Sequence, residues 1–135
     1  MVKKIFVDTN RQETLETAVS MLINFGISIK MTINSDDPLS VIAKLESIVN
    51  SSHEGVAAKA KLDYLLDGYV ATKIRKVLDL ERERSAADRK AILQAEVADL
   101  QYYCTFAELL IKESHYHIEA LRSLLSWHKT EAKSL

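Results

Sequence analysis

The longest regular pattern of apolar residues lies in the C-terminal third of the chain and predicts a long helix. Its apolar positions alternate steps of four and three residues, and neither Gly nor Pro interrupts residues 85–135. Ser85 and Asp88 have the spacing of a helix N-terminal capping box. A helix over residues 86–130 would be roughly 65 Å long. Its apolar face therefore needs packing partners along much of its length. The positions of this heptad seam are Leu93, Val97, Leu100, Cys104, Ala107, Ile111, Ser114, Ile118, Leu121 and Leu125.

A second apolar stripe runs beside the heptad seam on the same predicted helix. It consists of Tyr103, Phe106, Leu110, His117 and Leu124. Two apolar faces favour one contact with the chain's own helices and one with a neighbouring subunit. The alternative is a single antiparallel bundle that buries one broad face. We therefore expect a homo-oligomer, with a ring as the default closed form, and assign every seam position except Ser114 to oligomerisation.

The N-terminal part of the chain predicts one helix followed by a short extended segment. Asn10 and Glu13 have capping-box spacing, apolar residues follow at helical intervals, and Gly26 suits the helix end. Apolar and polar residues then alternate over residues 27–33, which predicts a short strand. Because that stretch is brief, a helix through it stays an alternative.

The middle of the chain predicts several shorter helices. Pro38 after a polar turn marks a helix start. The polar and glycine positions at 51–55 and 67–68 predict breaks, and residues 69–84 predict a short helix. The fold class is therefore all-α, a helical hairpin or bundle in one domain over residues 1–135. Within it, residues 1–84 form the N-terminal helical part, and residues 85–135 form the long oligomerisation helix.

Composition limits the classes of function open to this chain. It has 18 Lys and Arg residues against 19 Asp and Glu residues, a net charge of −1, so the chain as a whole is not a strongly basic nucleic-acid binder. Cys104 is the only cysteine, which indicates a reducing compartment. No apolar run reaches transmembrane length. We expect a cytoplasmic protein with no membrane partner.

Catalytic and cofactor motifs are not evident in the sequence. It contains neither a phosphate-binding glycine loop nor a dinucleotide-binding fingerprint. His115 and His117 point to different sides of a helix, and Cys104 on the seam has no visible base. We therefore expect no enzyme activity, no catalytic residue, no metal site and no cofactor.

Positive charge is concentrated locally in the middle of the chain. Residues 59–76 carry five basic and two acidic side chains, a local balance of +3. Repeated around an oligomer, such a segment would hold a phosphate backbone more strongly than one copy could. Two nearby tyrosines, Tyr64 and Tyr69, could stack on bases or belong to the core. The plain alternative for each lysine is a solvated helical surface. The five basic residues are Lys59, Lys61, Lys73, Arg75 and Lys76.

Several segments resemble the UvsY recombination mediators of tailed phages. Residues 59–64, Lys-Ala-Lys-Leu-Asp-Tyr, are similar to the family's Lys-Ala-Arg-Leu-Asp-Tyr, and both are followed by a turn containing Gly. Residues 3–9 resemble the family's entry to its first helix. Leu-Gln-Tyr at 100–102 and Ile-Lys at 111–112 match its last helix. The segment between Gly26 and Pro38 is longer than the family pattern, and Lys61 stands where the family has Arg.

The resemblance implies a function that composition and periodicity do not reach. Members of this family bind single-stranded DNA as oligomers and help a RecA-type recombinase to displace the single-strand-binding protein. The family's basic pair falls on Lys59 and Lys61, whereas Lys73, Arg75 and Lys76 are added from charge alone. The competing hypothesis is an oligomeric coiled-coil scaffold that does not bind nucleic acid.

Overall fold

The protein consists of three helices in the computed structural model, which describes residues 2–80 and 85–134. Helix α1 spans Thr9–Lys30, α2 spans Pro38–Leu80 and α3 spans Ala86–Ser134. Within the described ranges there is no strand. The all-α prediction is therefore confirmed.

The helix starts follow local capping chemistry. Asp8 caps α1 because its carboxylate accepts a hydrogen bond from the Asn10 amide at 2.9 Å, so the cap lies before the position expected from the sequence. Pro38 begins α2, as predicted. The Ser85 hydroxyl accepts a hydrogen bond from the Asp88 amide at 3.2 Å, which confirms the predicted start of α3.

The predicted strand at residues 27–33 is wrong, and the alternative of a helix through this stretch is confirmed as far as Lys30. The predicted helix end at Gly26 is wrong as well. Helix α1 continues to Lys30. Of the alternating residues, Ile29 is buried, and it extends the buried face formed by Phe25 and Gly26 at helical spacing. Ile27 is exposed, so the alternation does not correspond to one buried face. The buried residues recur with the 3.6-residue period of a helix, so their contacts with the core favour a helix in this stretch.

The predicted breaks at residues 51–55 and 67–68 are also wrong, because α2 is continuous through both. The Ser51 hydroxyl donates to the Ser47 carbonyl oxygen at 2.7 Å, which satisfies the serine within the helix. The short helix predicted for residues 69–84 is the last part of α2 as far as Leu80. Residues 81–84 lie outside the described part of the chain.

Each helix runs antiparallel to the one before it in the chain. The Ser47 hydroxyl of α2 donates to the Ser28 hydroxyl of α1 at 3.0 Å. His128, near the end of α3, contacts the Ser35 carbonyl oxygen in the loop between α1 and α2 at 2.7 Å. At 1.5 Å per residue, α1 is about 33 Å long, whereas α2 and α3 are about 65 and 73 Å long. Helix α1 therefore accompanies only part of the hairpin formed by α2 and α3.

The heptad seam of α3 faces the chain's own helices. Leu100, Cys104, Ala107 and Leu121 belong to the buried core. Their assignment to subunit contacts is corrected here, because α1 and α2 already cover them in a single chain. Ser114 is buried too, and its hydroxyl donates to the Ile111 carbonyl oxygen at 2.6 Å. The remaining seam positions keep part of their surface exposed: Leu93, Val97, Ile111, Ile118 and Leu125.

The N-terminal segment is fixed to the bundle by one buried glutamine. Gln12 accepts hydrogen bonds from the Ile5 and Phe6 amides, both at 3.0 Å, and donates to the Lys3 carbonyl oxygen at 3.2 Å. Phe6 is thereby held in the core, where its ring meets that of Tyr69 edge to face at a centroid distance of 5.5 Å. The segment therefore joins α1 to the C-terminal half of α2.

Candidate nucleic-acid interface

Three of the predicted binding residues lie on one outward-facing side of α2. Lys61, Tyr64 and Arg75 are separated by 3 and 11 residues and are all exposed. Over the described residues, Lys61 and Arg75 have no acidic group within ion-pairing distance. Their charges are therefore available to an external anion.

Lys59 lies on another side of the helix from Lys61. Two residues correspond to about 200° of rotation on an α-helix, so the two lysines cannot face the same strand of DNA together. Lys59 is 2.6 Å from the Asp63 carboxylate and 4.0 Å from Glu108 on α3. The hydrogen bond with Asp63 raises the pKa of Lys59 above its ordinary value. A role for Lys59 in DNA binding stays a prediction, and it would require this contact to open.

Lys73 and Lys76 meet the same carboxylate on α3. The Nζ atoms lie 3.1 and 4.0 Å from the Glu96 oxygens, respectively. The hydrogen bond between Lys73 and Glu96 raises the pKa of Lys73 and lowers that of Glu96. These two predicted binding residues therefore join α2 to α3 and present less free charge than Lys61 and Arg75.

The two predicted stacking tyrosines have different environments. Tyr69 packs against Phe6, and Lys73 Nζ lies 5.2 Å from the centroid of its ring. Both contacts are internal. Tyr64 is 78% exposed, which is unusual for a large aromatic residue in a helix. Of the pair, Tyr64 is the one whose ring is available to a base.

A shallow surface pocket lies between α1 and α2 beside Tyr64. Its volume is about 340 Å³, and it is lined by Arg11, Tyr64, Leu65, Asp67 and Gly68. Sequence reasoning missed Arg11, because only the packing of α1 on α2 brings it to this place. It also interpreted Gly68 as a break, whereas Gly68 lies within α2 and leaves space above the helix.

An apolar groove lies between α1 and α3 on another side of the molecule. Ile23 and Ile27 of α1 and Phe106 and Leu110 of α3 contribute to it. Tyr102 stacks on Phe106 with a centroid distance of 6.4 Å and an interplanar angle of 4°. Phe106 and Leu110 belong to the predicted second stripe, which faces α1 and this groove at these two positions. The prediction that the stripe contacts another subunit stays a prediction.

Cys104 is a core residue in the structure. Burial raises the pKa of its thiol to about 11, and the nearby Asp63 carboxylate adds to this effect. The thiol is therefore protonated and covered at neutral pH. Among residues 2–80 and 85–134, no three His, Cys, Asp or Glu side chains are grouped to hold a metal ion.

Comparison with known proteins does not identify a relative of this chain. No family model, curated protein or solved structure matches the chain. None of the described helices combines the length and apolar character needed to cross a membrane. The outward side of α2 and the groove between α1 and α3 are therefore the features that a functional assignment has to explain.

Proposed function

We propose that this protein is a recombination mediator that binds single-stranded DNA and assists the loading of a RecA-type recombinase. It acts without catalysis, as a homo-oligomer in the cytoplasm, where the recombinase replaces the single-strand-binding protein on DNA. The segments that resemble the UvsY family support this assignment. The oligomer is supported by the groove lined by Ile23, Ile27 and Phe106, whose exposed apolar surface a second copy would cover.

The environment of Lys61 is the observation that carries the proposal. Lys61 belongs to the segment most similar to the family's DNA-binding segment, and it is exposed with no acidic partner among the described residues. Arg75 lies 14 residues further along the same side of α2, about 21 Å along the helix axis. Tyr64, one turn from Lys61, offers a ring face between these two charges. Cations with an aromatic ring between them are typical of surfaces that bind single strands.

Salt dependence of binding tests the proposal. We expect the affinity of Lys61→Gln for a labelled single-stranded oligonucleotide to depend less steeply on salt, with the slope of log K against log salt reduced by about 0.7. Lys112→Gln is the matched control, because Lys112 is exposed on α3 and its loss changes the net charge equally. Equal slopes for the wild type and both variants would contradict a phosphate contact by Lys61.

A scaffold without nucleic-acid binding is the second candidate function. It is favoured by the ion pairs of Lys59, Lys73 and Lys76, since their charges are already matched by carboxylates within the chain. Measuring the oligomer mass and DNA binding of Lys61→Gln in the same solution separates the two candidates. A scaffold assembles and ignores DNA, whereas a mediator assembles and binds it with a salt dependence that this variant reduces.

A further inference from the structure

The surface pocket between α1 and α2 has the construction of a small binding site. Its lining combines the exposed Tyr64 and the buried Leu65 of α2 with Arg11 of α1. Its volume of about 340 Å³ is within the range of about 300–1,000 Å³ occupied by small-ligand pockets. Gly68 also lines it, and a Cβ atom at that position would meet nothing within 4 Å, so the space next to Gly68 is open.

We propose that this pocket binds one nucleobase of the single strand. This inference rests on the proposed function, since the strand must first pass along α2. Tyr64 stacks on the base, Leu65 contacts its edge and the absence of a side chain at Gly68 leaves room for the ring. Stacking on a surface tyrosine tolerates any base, because each base has a π face. The pocket thus holds a base out of the strand while the neighbouring cations hold its phosphates.

The charges around the pocket match a nucleotide rather than a free anion. Lys61 lies one turn from Tyr64 along α2, and Arg11 of α1 lines the pocket, so each of the two helices supplies a cation near Tyr64. Arg11 is engaged only weakly within the chain, with its Nε 4.0 Å from Asp8. Asp67 adds an acceptor that suits the amino group of cytosine and repels phosphate from the base position.

Two oligonucleotides of equal length and charge test the inference, one with all of its bases and one built from abasic sites. We expect the wild-type oligomer to bind the strand with bases more tightly. Tyr64→Ala should weaken binding of that strand by at least about fivefold and leave abasic binding unchanged. Gly68→Leu should do the same by filling the pocket. The salt slope should remain that of the wild type in both variants, because neither removes a phosphate contact.

The matched control for pocket filling is Ala43→Leu, which adds the same side chain to another exposed position of α2. It should bind both strands as the wild type does. Gly68→Leu replaces a helix-interior glycine with a better helix former, so it should remain folded, which circular dichroism checks.

Failure of the inference is distinguishable from failure of the proposed function. If the wild type binds neither oligonucleotide, the proposed function fails. If it binds both equally, or if Tyr64→Ala weakens both by the same factor, the strand is bound but the base pocket is overturned. Equal binding of cytosine and thymine homopolymers would overturn the role given to Asp67.

Discussion

The closest approach between α1 and α2 depends on Gly55, and replacing this glycine with alanine tests the packing directly. A Cβ atom added at Gly55 would lie 2.5 Å from Cε2 of Phe25, closer still to Cδ2 and 3.2 Å from Cγ. The Phe25 ring is 1% exposed and belongs to the core. It cannot move aside without displacing other buried side chains.

The expected effect is a balance between helix propensity and overpacking. Alanine in place of a helix-interior glycine gains about 1 kcal/mol. Overpacking a well-filled core costs about 1–3 kcal/mol, and the upper end applies because two ring carbons of Phe25 overlap the new methyl group. Gly55→Ala should therefore be destabilised by about 2 kcal/mol. A chain of this length should lose roughly 8 °C in Tm, at about 4 °C per kcal/mol.

Two other glycines provide matched controls within the same fold. A Cβ at Gly68 meets nothing within 4 Å, and one at Gly26 meets Leu110 Cδ2 at an ordinary 3.8 Å. Gly68→Ala should be stabilised by about 1 kcal/mol, and Gly26→Ala should be at least as stable as the wild type. Chemical denaturation of the three variants at one protein concentration measures the differences. A Gly55→Ala variant as stable as Gly68→Ala would refute the packing described for Phe25.

Three further perturbations address the N-terminal segment, the thiol and the ion pairs of α3. Gln12→Ala should lose about 2 kcal/mol of stability, because two backbone amides lose their acceptor. Gln12→Glu should not restore it, because its carboxylate would face the Lys3 carbonyl oxygen and the Glu16 carboxylate, to which the Gln12 amide donates. Denaturation and amide exchange measure both variants. The free energy of unfolding should fall as pH rises from about 9 towards 11. In this range the unfolded chain loses the Cys104 proton and the folded chain keeps it, because the pKa of the thiol is 9.0 when unfolded and about 11 when folded. The fall should be smaller in Cys104→Ala. Glu96→Gln should strengthen single-strand binding, because it releases Lys73 from its ion pair. Glu119→Gln changes the net charge equally and should have a smaller effect. Equal effects of the two variants would indicate that net charge alone controls binding.

Local signals predicted the starts of α2 and α3, whereas the cap of α1 is Asp8 and not the predicted Asn10. Ser85 and Pro38 act on the backbone of the first helical turn next to them. The residue type at each position is therefore enough to predict a helix start. The seam of α3 was equally predictable, because its period is sustained over many turns. Its contacts were predicted less well, since a heptad pattern does not say which helix covers it. In this fold α1 and α2 cover Leu100 and Cys104.

Contacts between distant parts of the chain explain what sequence reasoning missed. Gly55 resembles a break until Phe25 is placed against it. The two-residue spacing of Lys59 and Lys61 already puts them on different sides of a helix. What the fold adds is the contact of Lys59 with Glu108 of α3. Arg11 carries no signal of its own and becomes part of the candidate site only through the packing of α1 on α2.

Binding of the wild-type protein to a labelled single-stranded oligonucleotide, with unlabelled duplex as competitor and mass determination in the same solution, tests the central claim most directly. The proposed function predicts an oligomer that binds the single strand, weakens as salt rises and is not displaced by equimolar duplex. An oligomer that does not bind the single strand even at low salt would contradict it and leave the scaffold as the better account of this fold.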